Sequence, residues 1–462
     1  MPPHVPIRFP AADIPAPALP TGSALPPDVL AELPEEAAFT VWQVLRCVSL
    51  WAGEAEPRRA TMFNRPYMRQ WEQRLLTAEL DTDARFPLAV IVGELARATP
   101  GASRLSWACV CVADWALGRG AHRAALAFAE AAARAAPDHP RYAWVAGRLM
   151  RSHGDARAAE RWLRRALRLA IAQRDWETQA RTLISLGNLF IDIGKMPAAR
   201  EFHSRALRIS RRWRLREQEA MALHDLFVIA TEEGSRAEAE SLARDALAAY
   251  GDADARICKL AHDVAYAWML QGQFHRALHV FEALRPQFPW PDEQLRIVAN
   301  MARAAAGNGD EALFHLMREE AEGLRARLVS HETHAAALLE IAHGAASLDD
   351  AGIALAAAHA ARELAAERRE ANVRIRAEAL IEAIAEARPT RAEGKPPVAG
   401  ASTERLAEEL ILALGRALAA ASGSGDGGGA TPLSAEYGVA KDLLTPPPGR
   451  RRGKAKRAAT GG

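Results

Sequence analysis

Five glycines stand in one frame along this chain. Gly120, Gly154, Gly194, Gly234 and Gly272 each precede an alanine by five residues (Ala125, Ala159, Ala199, Ala239 and Ala277), and successive glycines are 34, 40, 40 and 38 residues apart. No strand-forming run separates them. A period in this range, with small residues at fixed offsets, marks stacked helical hairpins that bury their apolar faces only against their neighbours. The expected fold is therefore all-α, a right-handed superhelical solenoid of helix-turn-helix repeats with helical caps and disordered termini.

Aligned on their glycines, the blocks read SWACVCVADWALGRGAHRAALAFAEAAARAAP, PRYAWVAGRLMRSHGDARAAERWLRRALRLA, ARTLISLGNLFIDIGKMPAAREFHSRALRIS, AMALHDLFVIATEEGSRAEAESLARDALAAY and CKLAHDVAYAWMLQGQFHRALHVFEALRP. Each is two helices joined at the glycine. Small residues at position 8 (Ala113, Gly147, Gly187 and Ala265) let the second helix press on the first. The glycine at position 15 can take the left-handed conformation that ends the first helix.

Small or apolar residues at these offsets give the chain its resemblance to the tetratricopeptide repeat family. The third block, with Leu186, Gly187, Phe190, Gly194, Ala199, Phe202 and Ala206, resembles the family most closely, and the first block adds its closing proline, Pro137. The fourth departs at position 8, where Phe227 replaces a small residue. The long spacings are similar to the longer-helix variants in kinesin light chain and in bacterial peptide-sensing regulators. The clear match runs from residue 106 to about 288, with weaker blocks near Gly307 to Met317 and across 331 to 367.

The expected organisation is a Pro/Ala-rich arm over 1–30, a helical N-terminal cap over 31–104, the array over 105–322, degenerate repeats with a C-terminal helical cap over 323–422, and a Gly-rich linker with a basic tail over 423–462. In the cap, Trp42, Leu45 and Trp51 fall outside the repeat frame, which suits either a capping bundle or one degenerate repeat. Four cysteines among 462 residues are too few and too irregular for a disulfide framework. With no apolar run behind a basic start and no long apolar span, the expected location is cytoplasmic, with no membrane partner.

In such a solenoid the first helix of each hairpin lines the concave groove. Positions facing inward give Arg141, Trp144, Arg148, Arg181 and Asn188, then His224, Asp225, His262, Asp263 and Tyr266. Arginines there suit a peptide's carboxylates, and the aromatics offer apolar contact. Resemblance to the family's peptide binders implies that Asn188 bonds a peptide backbone. The competing reading is that these are solvated polar residues on an exposed face. The expected partner is a protein or peptide, held by a non-catalytic scaffold or regulator.

Nucleic acid is the alternative partner. Arg450, Arg451, Arg452, Lys454, Lys456 and Arg457 put six positive charges in eight residues, leaving the rest of the chain at a formal −4. An arginine strip, Arg161, Arg164, Arg165 and Arg168 followed by Arg205, Arg208, Arg211, Arg212, Arg214 and Arg216, surrounds Trp162 and Trp213. A third reading takes the pairs His224-Asp225 and His262-Asp263 as metal ligands of a hydrolase. Their separation of 38 equals the local repeat, so duplication alone accounts for it. Neither His275 and His279, four apart, nor Cys109 and Cys111, two apart, forms a ligand set with further partners in sequence. With no phosphate-cradling loop or nucleophile elbow either, no catalytic residue, metal or cofactor is expected.

Overall fold

The computed structural model describes residues 31–33, 35–55, 58–251, 256–288, 291–328, 333–368, 370–386 and 401–423. The Pro/Ala-rich arm, the Gly-rich linker and the basic tail with Arg450, Arg451, Arg452, Lys454, Lys456 and Arg457 lie outside them. Among the described residues there are nineteen α-helices and no strand, and no helix is long and apolar enough to cross a membrane.

The helices fall into two compact units, divided between Trp213 and Arg214. The first opens with α1 (Glu35–Gly53), α2 (Arg65–Thr77) and α3 (Thr82–Leu95). Three hairpins follow: α4 (Ala102–Leu117) with α5 (His122–Ala135), α6 (Pro140–Ser152) with α7 (Ala156–Gln173), and α8 (Trp176–Asp192) with α9 (Met196–Trp213). Trp42 is half-buried, while Leu45 and Trp51 are buried in α1, which packs on α3 and α5.

The second unit holds four hairpins: α10 (Arg216–Glu232) with α11 (Arg236–Tyr250), α12 (Ile257–Leu270) with α13 (Phe274–Leu284), α14 (Pro291–Gly307) with α15 (Glu311–Arg327), and α16 (His334–Ser347) with α17 (Ala351–Arg368). It ends with α18 (Ala371–Ala385) and α19 (Ala401–Gly423). α18 packs on α17 and α16. α19, expected from sequence to close the end of the array, packs instead on α13, α12 and α11, well back along the chain.

One turn serves every hairpin. At the second, Gly154 has φ +84°, its N–H donates to the Arg151 carbonyl at 3.0 Å, and the next N–H, of Asp155, reaches back to Met150 at 3.1 Å. This Schellman pairing satisfies carbonyls that the helix end leaves free. Asp155 then starts the next helix, its Oδ1 accepting the Ala158 N–H at 2.9 Å, a cap worth about 1 kcal/mol. The same backward bond recurs at all five periodic glycines and at Gly309, which places the sixth turn two residues after Gly307. In the seventh turn the left-handed residue is Asp349, φ +60°.

Small residues set how closely the paired helices approach. A Cβ added at Gly147 would stand 2.7 Å from the Leu163 Cγ and 3.1 Å from its backbone nitrogen, so only glycine lets α7 lie this close to α6. Gly187 likewise leaves room for the buried His203. Phe227, the departure noted at position 8 of the fourth block, is matched sixteen residues later by Ala243, in the register where Leu163 follows Gly147 and His203 follows Gly187. The bulk has moved from the second helix to the first, and both Phe227 and Ala243 are buried.

Candidate functional site

In the first unit the predicted residues of α6 and α8 form an ion-paired layer around one tryptophan. Trp144 is buried, 1% exposed, and its indole N–H donates to Ser185 Oγ at 2.8 Å. The guanidinium carbons of Arg148 and Arg181 stand 5.3 and 5.6 Å from its ring centre, one from its own helix and one from the next, within cation–π range. Arg181 Nε reaches Glu177 Oε1 at 3.1 Å, and Arg141 reaches the same carboxylate at 3.4 Å. Arg151 pairs with Asp192 at 2.9 Å.

These positions correct the picture of an open wall of free arginines. Trp144, Arg148 and Arg181 are buried in the layer where α6 meets α8, and Glu177 already takes the charge of Arg141 and Arg181. Asn188 and Arg141 stay half-buried. The arginine strip is also altered: Trp162 is fully buried and donates to Glu130 at 3.3 Å. Trp213 is 43% exposed and stacks on Trp176, ring centres 4.7 Å apart.

In the second unit the first helices of successive hairpins are joined by one polar seam. Asp263 on α12 accepts from His224 Nε2 of α10 at 2.9 Å and from His262 Nδ1 at 3.0 Å. The outer nitrogens are engaged too: Tyr250 Oη lies 3.3 Å from His224 Nδ1, and the Asn300 amide donates to His262 Nε2 at 3.1 Å. The amide donor leaves the His262 proton on Nδ1, aimed at Asp263, a tautomer inferred from its partners. Burial alone would raise the Asp263 carboxyl, but the two imidazole hydrogen bonds outweigh it and hold the group well below the usual carboxylate range.

The seam continues through Tyr266, whose ring stacks on His262 with an interplanar angle of 9°. Its phenol donates to Glu340 Oε1 on α16 at 2.9 Å. Glu340 is buried and also takes Arg303 of α14 and Arg376 of α18, the latter at 3.1 Å. Burial would raise this carboxyl; the two guanidiniums hold it below the ordinary value. Burial and the Glu340 charge push the Tyr266 phenol up. His343, one turn along α16, is pushed down to about 4 by burial first and then by Arg303.

His224, predicted on an open face, is therefore a buried support at 5% exposure, whereas Asp225, His262, Asp263 and Tyr266 are half-buried. Each imidazole of the His-Asp pairs spends both nitrogens on hydrogen bonds within the chain. Among the described residues no three His, Cys, Asp or Glu side chains converge in a metal-binding arrangement. Asn300, Arg303, Glu340 and Arg376 were missed in the sequence. The signal for Asn300 was present: it follows His262 by 38 residues, as His262 follows His224.

Phased glycine turns, small residues at the helix crossings and a shared first-helix face define a repeat protein built of tetratricopeptide-like helical hairpins. No protein-family model matches the sequence, and no curated protein does. Among solved structures, the chain is similar to BtubC from P. vanneervenii at 23% identity, covering 49% of this chain and 88% of BtubC with a TM-score of 0.38. It is also similar to a Rap protein complexed with competence and sporulation factor, at 10% identity, covering 76% of this chain and 98% of that one, TM-score 0.43. For the Rap conjugation gene regulator of plasmid pLS20 in complex with the Phr* peptide the values are 14%, 77%, 98% and 0.41. Likeness at this level leaves the function to be argued from the side chains.

Proposed function

We propose that the chain is a non-catalytic repeat scaffold whose first-helix faces hold a protein or peptide segment. The observation that carries this reading is the seam of the second unit. Asp263, His262 and Tyr266 keep part of their surface accessible, yet each is fixed by hydrogen bonds to a helix of another hairpin. Side chains fixed before binding lose little entropy when a ligand arrives, which is what a recognition surface needs. Asp263 and Asp225 offer acceptors to backbone N–H groups or basic side chains, and Tyr266 offers an apolar body with a polar tip. In the first unit Asn188 and Arg141 play the corresponding part, with Trp144, Arg148 and Arg181 as the buried support beneath them. His224 has that supporting role under Asp263.

Selection of random dodecapeptides displayed on phage against the full chain tests the reading. Selected peptides should bind tenfold or more weakly to Asp263→Asn or Asn188→Ala, with helicity retained at the temperature of the binding assay. Peptides that bind both variants as well as the parent, or a selection that yields none, would overturn it.

A further inference from the structure

α19 lies where no repeat needs it. It joins α18 through residues 387–400, a stretch of fourteen that includes three prolines, and it packs on the second helices α11 and α13 and on α12 between them. One stripe makes the contact: Leu406, Leu410 and Leu414 are fully buried and Ala413 is 3% exposed. Leu412, on the opposite side, is 64% exposed. The spacing of four places the leucines on one face of a helix.

The groove beneath that stripe is built into the repeats. α11 meets α12 along a shorter stretch than α5 meets α6 or α13 meets α14, and the resulting cleft is lined by Phe227, Ala239, Ala243, Val264 and Trp268, with Leu406 inserted from α19. Its rim is polar and matched to the start of the helix. Thr403 Oγ1 donates to Glu240 at 2.6 Å, Arg276 pairs with Glu404 at 3.0 Å, and the Gln287 amide donates to the Leu414 carbonyl at 2.8 Å. Glu404 is 65% exposed, so this ion pair guides orientation more than it holds the helix down.

We propose that the groove across α11, α12 and α13 is a helix-docking site, that α19 is its resident occupant, and that a partner's amphipathic helix can take the same seat. The resident helix specifies the visitor: leucines at i, i+4 and i+8, small residues beside them, and an acid in the first turn opposite Arg276. A groove that accepts a helix by one apolar stripe and a few rim contacts reads helical period and one charge, which is the helix-in-groove mode of recognition. Covalent attachment gives α19 a high effective concentration, so the groove stays covered until a stronger competitor arrives. The proposal does not depend on the polar seam, which lies on the first helices.

A fluorescein-labelled peptide of residues 401–419 is the probe, and the full chain is the receptor. In the variant Leu406→Asp with Leu410→Asp the resident helix can no longer seat, and the peptide should bind it at least tenfold more tightly than it binds the parent. Equal binding to both, or none to a variant of unchanged helicity, overturns the proposal. If the variant loses its helicity, hydrogen exchange on the unmodified chain decides. Amides 404–418 should exchange through an opening at least tenfold more frequent than that of the α12 amides, and exchange of α19 only together with α12 overturns the proposal.

Discussion

His343 shows how a single buried ring can make the stability of a repeat protein depend on pH. It lies on α16 near Arg303, Glu340 and Arg376, and burial with the Arg303 charge depresses it to about 4, against about 6.5 in an unfolded chain. The fold therefore favours the neutral ring. Its contribution is complete above about pH 6.5 and is lost as pH falls toward 4, with a slope of at most about 1.4 kcal/mol per pH unit. Asp263 and Glu340 are depressed carboxylates, so they stabilise above the ordinary carboxylate value of about 4 and lose that effect only below it. The window between pH 4 and 6.5 thus separates the ring from the acids. Urea midpoints at pH 7 and pH 5 should converge for His343→Gln relative to the parent, because the variant lacks the titrating group. Parallel pH profiles would show that the ring is not held neutral. Nothing in the sequence around His343 announces this, since its depression comes first from burial and then from Arg303, forty residues away, on another helix.

At the scale of the element, the hairpins were legible to the extent that their turns were chemically explicit. Glycine in the left-handed region is readable one residue at a time, and the five periodic glycines all take that conformation. The seventh hairpin was faint because its turn uses Asp349, at φ +60°, in the place glycine holds elsewhere. A Cβ in this conformation costs up to about 1–2 kcal/mol, less for aspartate than for most residues. Asp349 is exposed, and the neighbouring Asp350 supplies the cap, accepting the Ile353 N–H at 2.9 Å. Asp349→Gly should therefore raise the opening free energy of α16 and α17 by about 0.5–1 kcal/mol through relief of that strain. Amide hydrogen exchange in the two helices measures it, and a lowered opening free energy would mean that the Asp349 side chain does something beyond filling the turn. The seat of α19 was not legible at all. Its leucine period states that something covers one face, but the cover is more than a hundred residues back, and amphipathicity carries no address.

The larger scale adds what no repeat holds alone. The division between Trp213 and Arg214 falls inside an unbroken sequence period, so the spacing that revealed the hairpins gave no sign of it. Within the second unit, the first helices of all four hairpins, with Tyr250 of α11 and Arg376 of α18, share one chain of polar contacts, from Tyr250 and His224 through Asp263, His262 and Asn300, and then through Tyr266 and Glu340 to Arg303 and Arg376. The sequence exposed the His-Asp duplications on neighbouring repeats and offered them jointly as metal ligands, whereas the carboxylate of one pair takes its second imidazole from the previous hairpin. Repeat arrays gain stability mostly from nearest-neighbour interfaces, whereas a connected polar network couples members that never touch. His224 and Asn300 are such members, both acting through the Asp263–His262 link. A double-mutant cycle of His224→Gln and Asn300→Ala, read from the exchange of α12 amides, should show a coupling of about 0.5–1 kcal/mol or more. The cycle of His224→Gln with the remote cap change Asp310→Ala should be additive within about 0.5 kcal/mol. If the first cycle proves as additive as the second, the seam is a row of independent contacts, and its preorganisation for binding fails as an argument.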